Sequence, residues 1–210
     1  MAELTLTDVA VAPAELRPAS PAQHLAGAFA VAEVTGPRAV GVRELPFLTM
    51  VGVRAEPGSG PAERLTTTLG ARLPTSCGGV GTSADSSALW LAPDEWLVVS
   101  GHDAAELTGS LARALHGEPG SVVDLSANRT TLELTGPSGR DLLEKGCPLD
   151  LHPRSFAVGS AYATTLAAVP VVLWRTGERT FRVLVRSSFA DHVGRWLVDA
   201  MTEYRSPVLP

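Results

Sequence analysis

Residues 47–54 (FLTMVGVR) alternate loosely between apolar and polar and are rich in β-formers, which predicts a strand. A turn follows at 56–60, and Pro61 opens a helix through about Gly70, proline being tolerated in a first helical turn. The glycine-rich TSCGGVGTS that comes next reads as a flexible connector. Residues 88–92 and 96–100 are apolar runs separated by Pro93-Asp94-Glu95, the signature of a hairpin. Asp103 is placed to cap a helix running to about His116, with Glu106 at the capping-box position.

The second half repeats this order. Strands are expected at 122–125 and 131–134, then Gly136-Pro137 and a helix through Lys145, with Gly146 as its terminating glycine. Further strands are expected at 161–167, 171–175 and 181–186. Ser188 is read as the cap of a closing helix to about Met201, with Phe189, Val193, Trp196, Leu197 and Ala200 on one face. GPAERLTTTLG answers GPSGRDLLEKG, and LWLAPDEWLVV answers VVLWRTGERTFRVLV. The fold class this implies is α+β, with two ferredoxin-like βαββα-type halves packed as a pseudo-dimer. The domain reading is an extended N-terminal arm over 1–35 and one domain over 36–210, built from repeats at about 45–118 and 120–205. The arm carries the apolar LAGAFAVAEV, so it is expected to lie on the body of the chain or on a partner.

Composition narrows the function classes. The chain has 210 residues, 45% hydrophobic and 19% charged, enough for one substantial core. A net charge of -5 argues against nucleic acid, whose phosphates draw on clustered cations. Lys145 is the only lysine, so the remaining basic residues are arginines, whose planar fork suits interface ion pairs. The start, MAELTLTDVA, has acids where a signal peptide needs positive charge. The longest apolar run, 166–174, is too short to span a bilayer. A soluble cytoplasmic protein is expected.

No catalytic constellation is legible. Cys77 and Cys147 are far apart and form no CxxC or Cys/His cluster. Cys147 follows a helix C-terminus, the wrong end of the dipole to favour a thiolate. The five histidines are scattered, and the glycine-rich loop lacks the Lys-Ser/Thr ending of a P-loop. No catalytic and no metal-binding residue is therefore assigned. What stands out is polar or aromatic and unassigned. Trp90 and Trp96 flank the hairpin turn with Asp94, and they serve either core packing or an interface. Asp124, Asn128 and Arg129 lie together between two strands, either as an internal turn network or as an arginine presented to a partner carboxylate. These six are the candidate interface residues.

The segments LWLAPDEWLVV (89–99), DLSANRTTLELTGPSGRDLLEKGCPLDLHP (124–153) and RSSFADHVGRWLVDA (186–200) resemble the gamma subunit of heterotetrameric sarcosine oxidase, as does PASPAQHL near the start. That family is similar in fold to the folate-binding domain of aminomethyltransferases. The resemblance implies a bacterial complex that oxidatively demethylates sarcosine to glycine, hydrogen peroxide and, with tetrahydrofolate, methylenetetrahydrofolate. It implies FAD, FMN and NAD on the alpha and beta subunits and zinc on delta, with gamma an accessory subunit packed against alpha and no cofactor of its own. The alternative is a stand-alone folate-binding one-carbon transfer enzyme or regulator, which would need an acidic residue on a pocket wall, Asp94 or Asp124 being the best placed.

Overall fold

The computed structural model describes residues 18–205, and each half of the chain gives its first strand to the sheet of the other half. The first half contains β1 (Gly41–Leu45), β2 (Thr49–Arg54), α2 (Gly60–Leu69), β3 (Val80–Thr82), β4 (Ser86–Ala92), β5 (Glu95–Ser100) and α3 (Ala104–Leu115). The second contains β6 (Ser121–Asp124), β7 (Arg129–Thr135), α4 (Gly139–Glu144), β8 (Ala161–Leu166), β9 (Val169–Gly177), β10 (Thr180–Arg186) and α5 (Ala190–Arg205). Ahead of both lies α1 (Ala26–Ala32). One sheet has the order β1-β7-β10-β9-β8 and the other β6-β2-β5-β4-β3. The two orders correspond strand for strand, with β1 and β6 exchanged.

The sheets pack face to face and helices cover their outer faces. Met50, Leu89, Leu97 and Val99 of one sheet meet Ala161, Val172, Trp174 and Leu184 of the other. Outside, α1, α4 and α5 pack Phe29, Leu142, Leu143, Val193 and Leu197 on one sheet, while α2 and α3 pack Leu65, Leu107 and Leu111 on its counterpart. Val183 and Val185 therefore face helices while Leu184 between them faces the second sheet. Strands buried on both faces read as continuous apolar runs rather than alternations. Each large aliphatic or aromatic side chain so buried stabilises the fold by about 1.5–3 kcal/mol.

Several expectations are corrected. The segment read as an extended arm is helical over Gln23–Leu25 and Ala26–Ala32, and it buries Leu25 and Phe29 against its own chain; residues 1–17 of the arm lie outside the described residues. Glu44 fixes this segment, accepting from Ser20 Oγ (2.5 Å), Ala22 N (3.1 Å) and Thr130 Oγ1 (2.6 Å). Strand β1 itself was not anticipated, because its glutamate and arginine mask the apolar signal of Val42. The glycine-rich loop is no flexible connector. It contains β3, and Gly78 O accepts from Ala161 N at 3.1 Å, joining one sheet to the other. A Cβ on Gly78 would lie 2.4 Å from the Tyr162 hydroxyl.

Two helix-end readings also change. Asp103 does cap α3, accepting from Ala105 N and Glu106 N at 2.9 and 3.0 Å. Ser188, by contrast, lies in a short 3-10 turn (Ser187–Phe189), and Phe189 is 41% exposed; the buried face of α5 is Ala190, Val193, Gly194, Leu197, Met201 and Tyr204. Gly146 does not adopt the left-handed conformation expected of a terminating glycine. Its role is spatial, since a Cβ there would fall 2.6 Å from Trp196 Cζ2. Gly70, at φ +63, is the true left-handed cap.

These two glycines therefore respond differently to asparagine, a residue that tolerates the left-handed region. Gly146→Asn should destabilise by about 1–3 kcal/mol through overpacking against Trp196. Gly70→Asn should cost less than about 1 kcal/mol. Denaturant midpoints of the two variants check this, and equal losses would contradict it.

Candidate functional site

The crossing from β6 to β7, residues 125–128, contains Asn128 and is bounded by Asp124 and Arg129, three of the polar residues singled out in the sequence. It is tied to both sheets. On one side Leu125 N donates to Met50 O at 2.7 Å, and Met50 N donates to Ser126 Oγ at 3.1 Å. On the other, Ser187 N donates to Asn128 O (2.9 Å) and Ser187 Oγ to Ala127 O (2.8 Å). Asp124 Oδ1 accepts from Ser126 N (2.9 Å) and Ser126 Oγ (2.6 Å), the geometry of an Asx turn. The Ser126 hydroxyl and amide hold the Asp124 carboxyl below its ordinary pKa. Asp124 thus belongs to the internal turn network and forms no ion pair with Arg129.

Arg129 has a different environment. It is half-buried, it stands directly opposite Arg186 in the β7–β10 register, and no hydrogen bond or ion pair engages its guanidinium among the described residues. Burial, and then the Arg186 charge, lower its pKa from the ordinary arginine value. Asn128 beside it is exposed, and its side chain makes no hydrogen bond among the described residues. Sequence patterning did not flag Arg186, whose significance depends on a strand register that no local motif reveals.

The tryptophan hairpin resolves toward packing. Trp90 and Trp96 are cross-strand partners, and Trp96 is 1% exposed with Nε1 donating to Pro74 O at 2.7 Å. Trp90 packs against the same cluster. Asp94 lies half-exposed in the turn, 3.5 Å from Arg54 Nη2, with Glu95 at the same distance. On the other sheet Glu133, 5% exposed, is gripped by Arg43 (2.5 Å) and Arg182 (3.1 Å). Burial opposes its charge, but the two arginines outweigh that and hold its carboxyl below the ordinary glutamate value.

The remaining reactive groups do not converge. Cys147 is buried, with Thr164 Oγ1 its polar neighbour at 3.9 Å, and Cys77 is exposed. Among the described residues no group of three or more His, Cys, Asp or Glu is placed to hold a metal ion. A cleft of about 300 Å³ opens between the sheets, lined by Ser86, Ser87, Ser100, Trp174, Thr176 and Arg182 among others. Asp94 and Asp124, the acids considered for a pterin site, are not on its wall. No helix of the described residues is long and apolar enough to cross a membrane.

The Asx turn makes a pH-dependent contribution. Asp124→Ala should lose about 0.5–1.5 kcal/mol at neutral pH, the range for a net hydrogen bond. Because the folded pKa is depressed, the wild-type advantage is complete above the unfolded carboxyl value of about 3.9 and is lost as pH falls through the lower folded one. Chemical denaturation of both proteins at neutral and acid pH checks the sign, and a gap that widens in acid would contradict it.

Comparison with known proteins follows this geometry closely. Residues 52–203 match the sarcosine oxidase, gamma subunit family. The chain is 52% identical over 191 residues to sarcosine oxidase subunit gamma of Arthrobacter sp., covering 90% of this chain and 93% of that one. It is 50% identical over 186 residues to the subunit gamma of Corynebacterium sp. strain U-96, covering 88% and 90%. A chain in the structure of heterotetrameric sarcosine oxidase from Corynebacterium sp. U-96, in complex with pyrrole 2-carboxylate, superposes with a TM-score of 0.89 at 47% identity, over 92% of this chain and 99% of that one. The glycine cleavage system aminomethyltransferase T of Bartonella henselae shares the fold at a TM-score of 0.56 and 14% identity, over 86% of this chain and 53% of that one. With its exchanged-strand fold superposed over 92% of its length and the family matched over residues 52–203, the chain belongs to the sarcosine oxidase gamma subunit family.

Proposed function

We propose that this chain is the accessory, non-catalytic gamma subunit of a heterotetrameric sarcosine oxidase. The observation that carries the reading is the 47%-identical superposition on 99% of a chain from such a complex. In this reading the chemistry, sarcosine to glycine with hydrogen peroxide and methylenetetrahydrofolate as further products, takes place on other subunits. FAD, FMN and NAD would sit on alpha and beta, zinc on delta, and tetrahydrofolate outside this chain. Alpha is the main contact, with beta and delta completing a cytoplasmic assembly. The division into an N-terminal segment over 1–35, helical and core-packed in its described part, and a two-repeat domain over 36–210 belongs to the same proposal.

The interface part of the proposal rests on Asp94, Asn128 and Arg129, which are at least partly exposed. Trp90 and Trp96 support the hairpin from the core, and the exposed Asp124 shapes the Asx turn beside Asn128 and Arg129. Neither Asp94 nor Asp124, the acids best placed for the folate-enzyme alternative, lines the inter-sheet cleft; the carboxylate on its wall is Asp85.

Affinity purification of the tagged chain from its native host, grown on sarcosine, tests the reading. Yellow, multi-subunit material with sarcosine-dependent peroxide production is expected; a colourless lone chain that binds folate would overturn it. In the purified complex Cys147→Ala should leave peroxide production unchanged, since the thiol is buried and its hydrogen-bond partner among the described residues is the neutral Thr164 hydroxyl. A large drop with assembly intact would contradict this.

A further inference from the structure

Among the described residues Arg38, Arg64, Arg140, Arg175, Arg182 and Arg129 are the arginines at least half-buried. Five of them are engaged. Arg38, Arg140 and Arg182 face carboxylates, Arg64 reaches Glu118 and two carbonyls, and Arg175 donates to three carbonyls. Arg129 alone in this set has no hydrogen bond or ion pair, and its cross-strand neighbour is the exposed cation Arg186. Like charges directly opposite in a sheet are destabilising, and a half-buried guanidinium with no anion bears a desolvation penalty. The fold retains this arrangement although the chain as a whole is acidic, with a net charge of -5.

The surroundings are apolar and exposed in an unusual way. Phe189 follows Arg186 by three residues and is 41% exposed. Phe47, 65% exposed and held at φ +58, occupies the neighbouring crossing from β1 to β2. Strand β1 ends at Leu45 opposite Thr131, and β10 ends at Arg186 opposite Arg129, so both phenylalanines lie at the same end of the sheet. Exposed aromatics at the same end of a sheet as an unneutralised cation pair have the composition of a protein-binding hot spot.

We propose that the Arg129–Arg186 pair, at the sheet end that also carries the exposed Phe47 and Phe189, receives an acidic segment of a partner subunit, with an Asp or Glu carboxylate bridging the two guanidiniums. This deepens the accessory-subunit reading and rests on it. The carboxylate relieves the repulsion between the arginines and supplies charge-assisted hydrogen bonds, while apolar atoms of the same segment cover the phenylalanines. The cation pair thus lowers the stability of the free chain and raises that of the complex.

The test uses the full complex. Arg129→Ala combined with Arg186→Ala should reduce recovery of the flavin-bearing partner on the tagged chain on the order of tenfold or more. The variant chain's own unfolding midpoint should stay level or rise, because the repulsion is removed. A second variant exploits the single lysine of this chain. Arg129→Lys introduces an amine that a zero-length carbodiimide can couple to a carboxylate, against a background of Lys145 and the N-terminus only. A cross-link from position 129 to an Asp or Glu of the co-purified partner is expected. Undiminished recovery together with no such cross-link overturns the proposal, as does wild-type binding to anionic phospholipid vesicles that the double variant loses while recovery is unchanged. If the wild-type chain captures no partner at all, the accessory-subunit reading fails too. Capture that the double variant does not reduce, with no cross-link from position 129, removes this inference alone.

Discussion

The reciprocal exchange of β1 and β6 is the constraint on which the rest of the structure depends. Neither half can complete its five-stranded sheet without the other's first strand, so the inter-sheet face around Leu97, Val99, Val172 and Leu184 forms only when both crossings are in place. The crossings are short, and their backbone groups must find partners in both sheets. For the crossing from β6 to β7, Met50 O takes the Leu125 amide on one side, and Ser187 donates to Ala127 O and Asn128 O on the other. The polar string, read from sequence as either an internal turn network or an arginine presented to a partner, ties the two sheets together at this crossing.

That explains the division of labour among the candidate residues. Asp124 and Ser126 are consumed by the turn, and Trp96 by the core beneath the hairpin. What the fold leaves over is Arg129, together with Asn128 and the arginine that the β7–β10 register places opposite it. Among the described residues that unpaired charge stands at the end of two interior strands of a packed sheet. Structure and assembly thus meet at one short segment.

Much of the fold was legible in the sequence because it depends on local chemistry. The Pro-opened helix α2, the Asp103 cap and the Pro-Asp-Glu hairpin each have a nearby cause, and the matching order of elements revealed the repeat. The failures were long-range. Gly146 resembled a helix terminator, yet Trp196, fifty residues on, sets its requirement for space. Strand β1 pairs with β7 across about ninety residues, and nothing in GVREL announces it. The strand exchange itself preserves element order within each half and so leaves no trace in a linear reading. Of the candidate site, Arg129 could be singled out from sequence, whereas Arg186 and the exposed Phe47 and Phe189 required the register.

If exchange of strands makes the two halves one cooperative unit, their hydrogen bonds must open together. Native-state hydrogen exchange across a denaturant series measures this directly. Amides of β2 and β5 and amides of β7 and β10 should converge on a single opening free energy as denaturant rises. Separate convergence, with one sheet opening well before the other, would contradict the account and return the chain to two independently folding repeats.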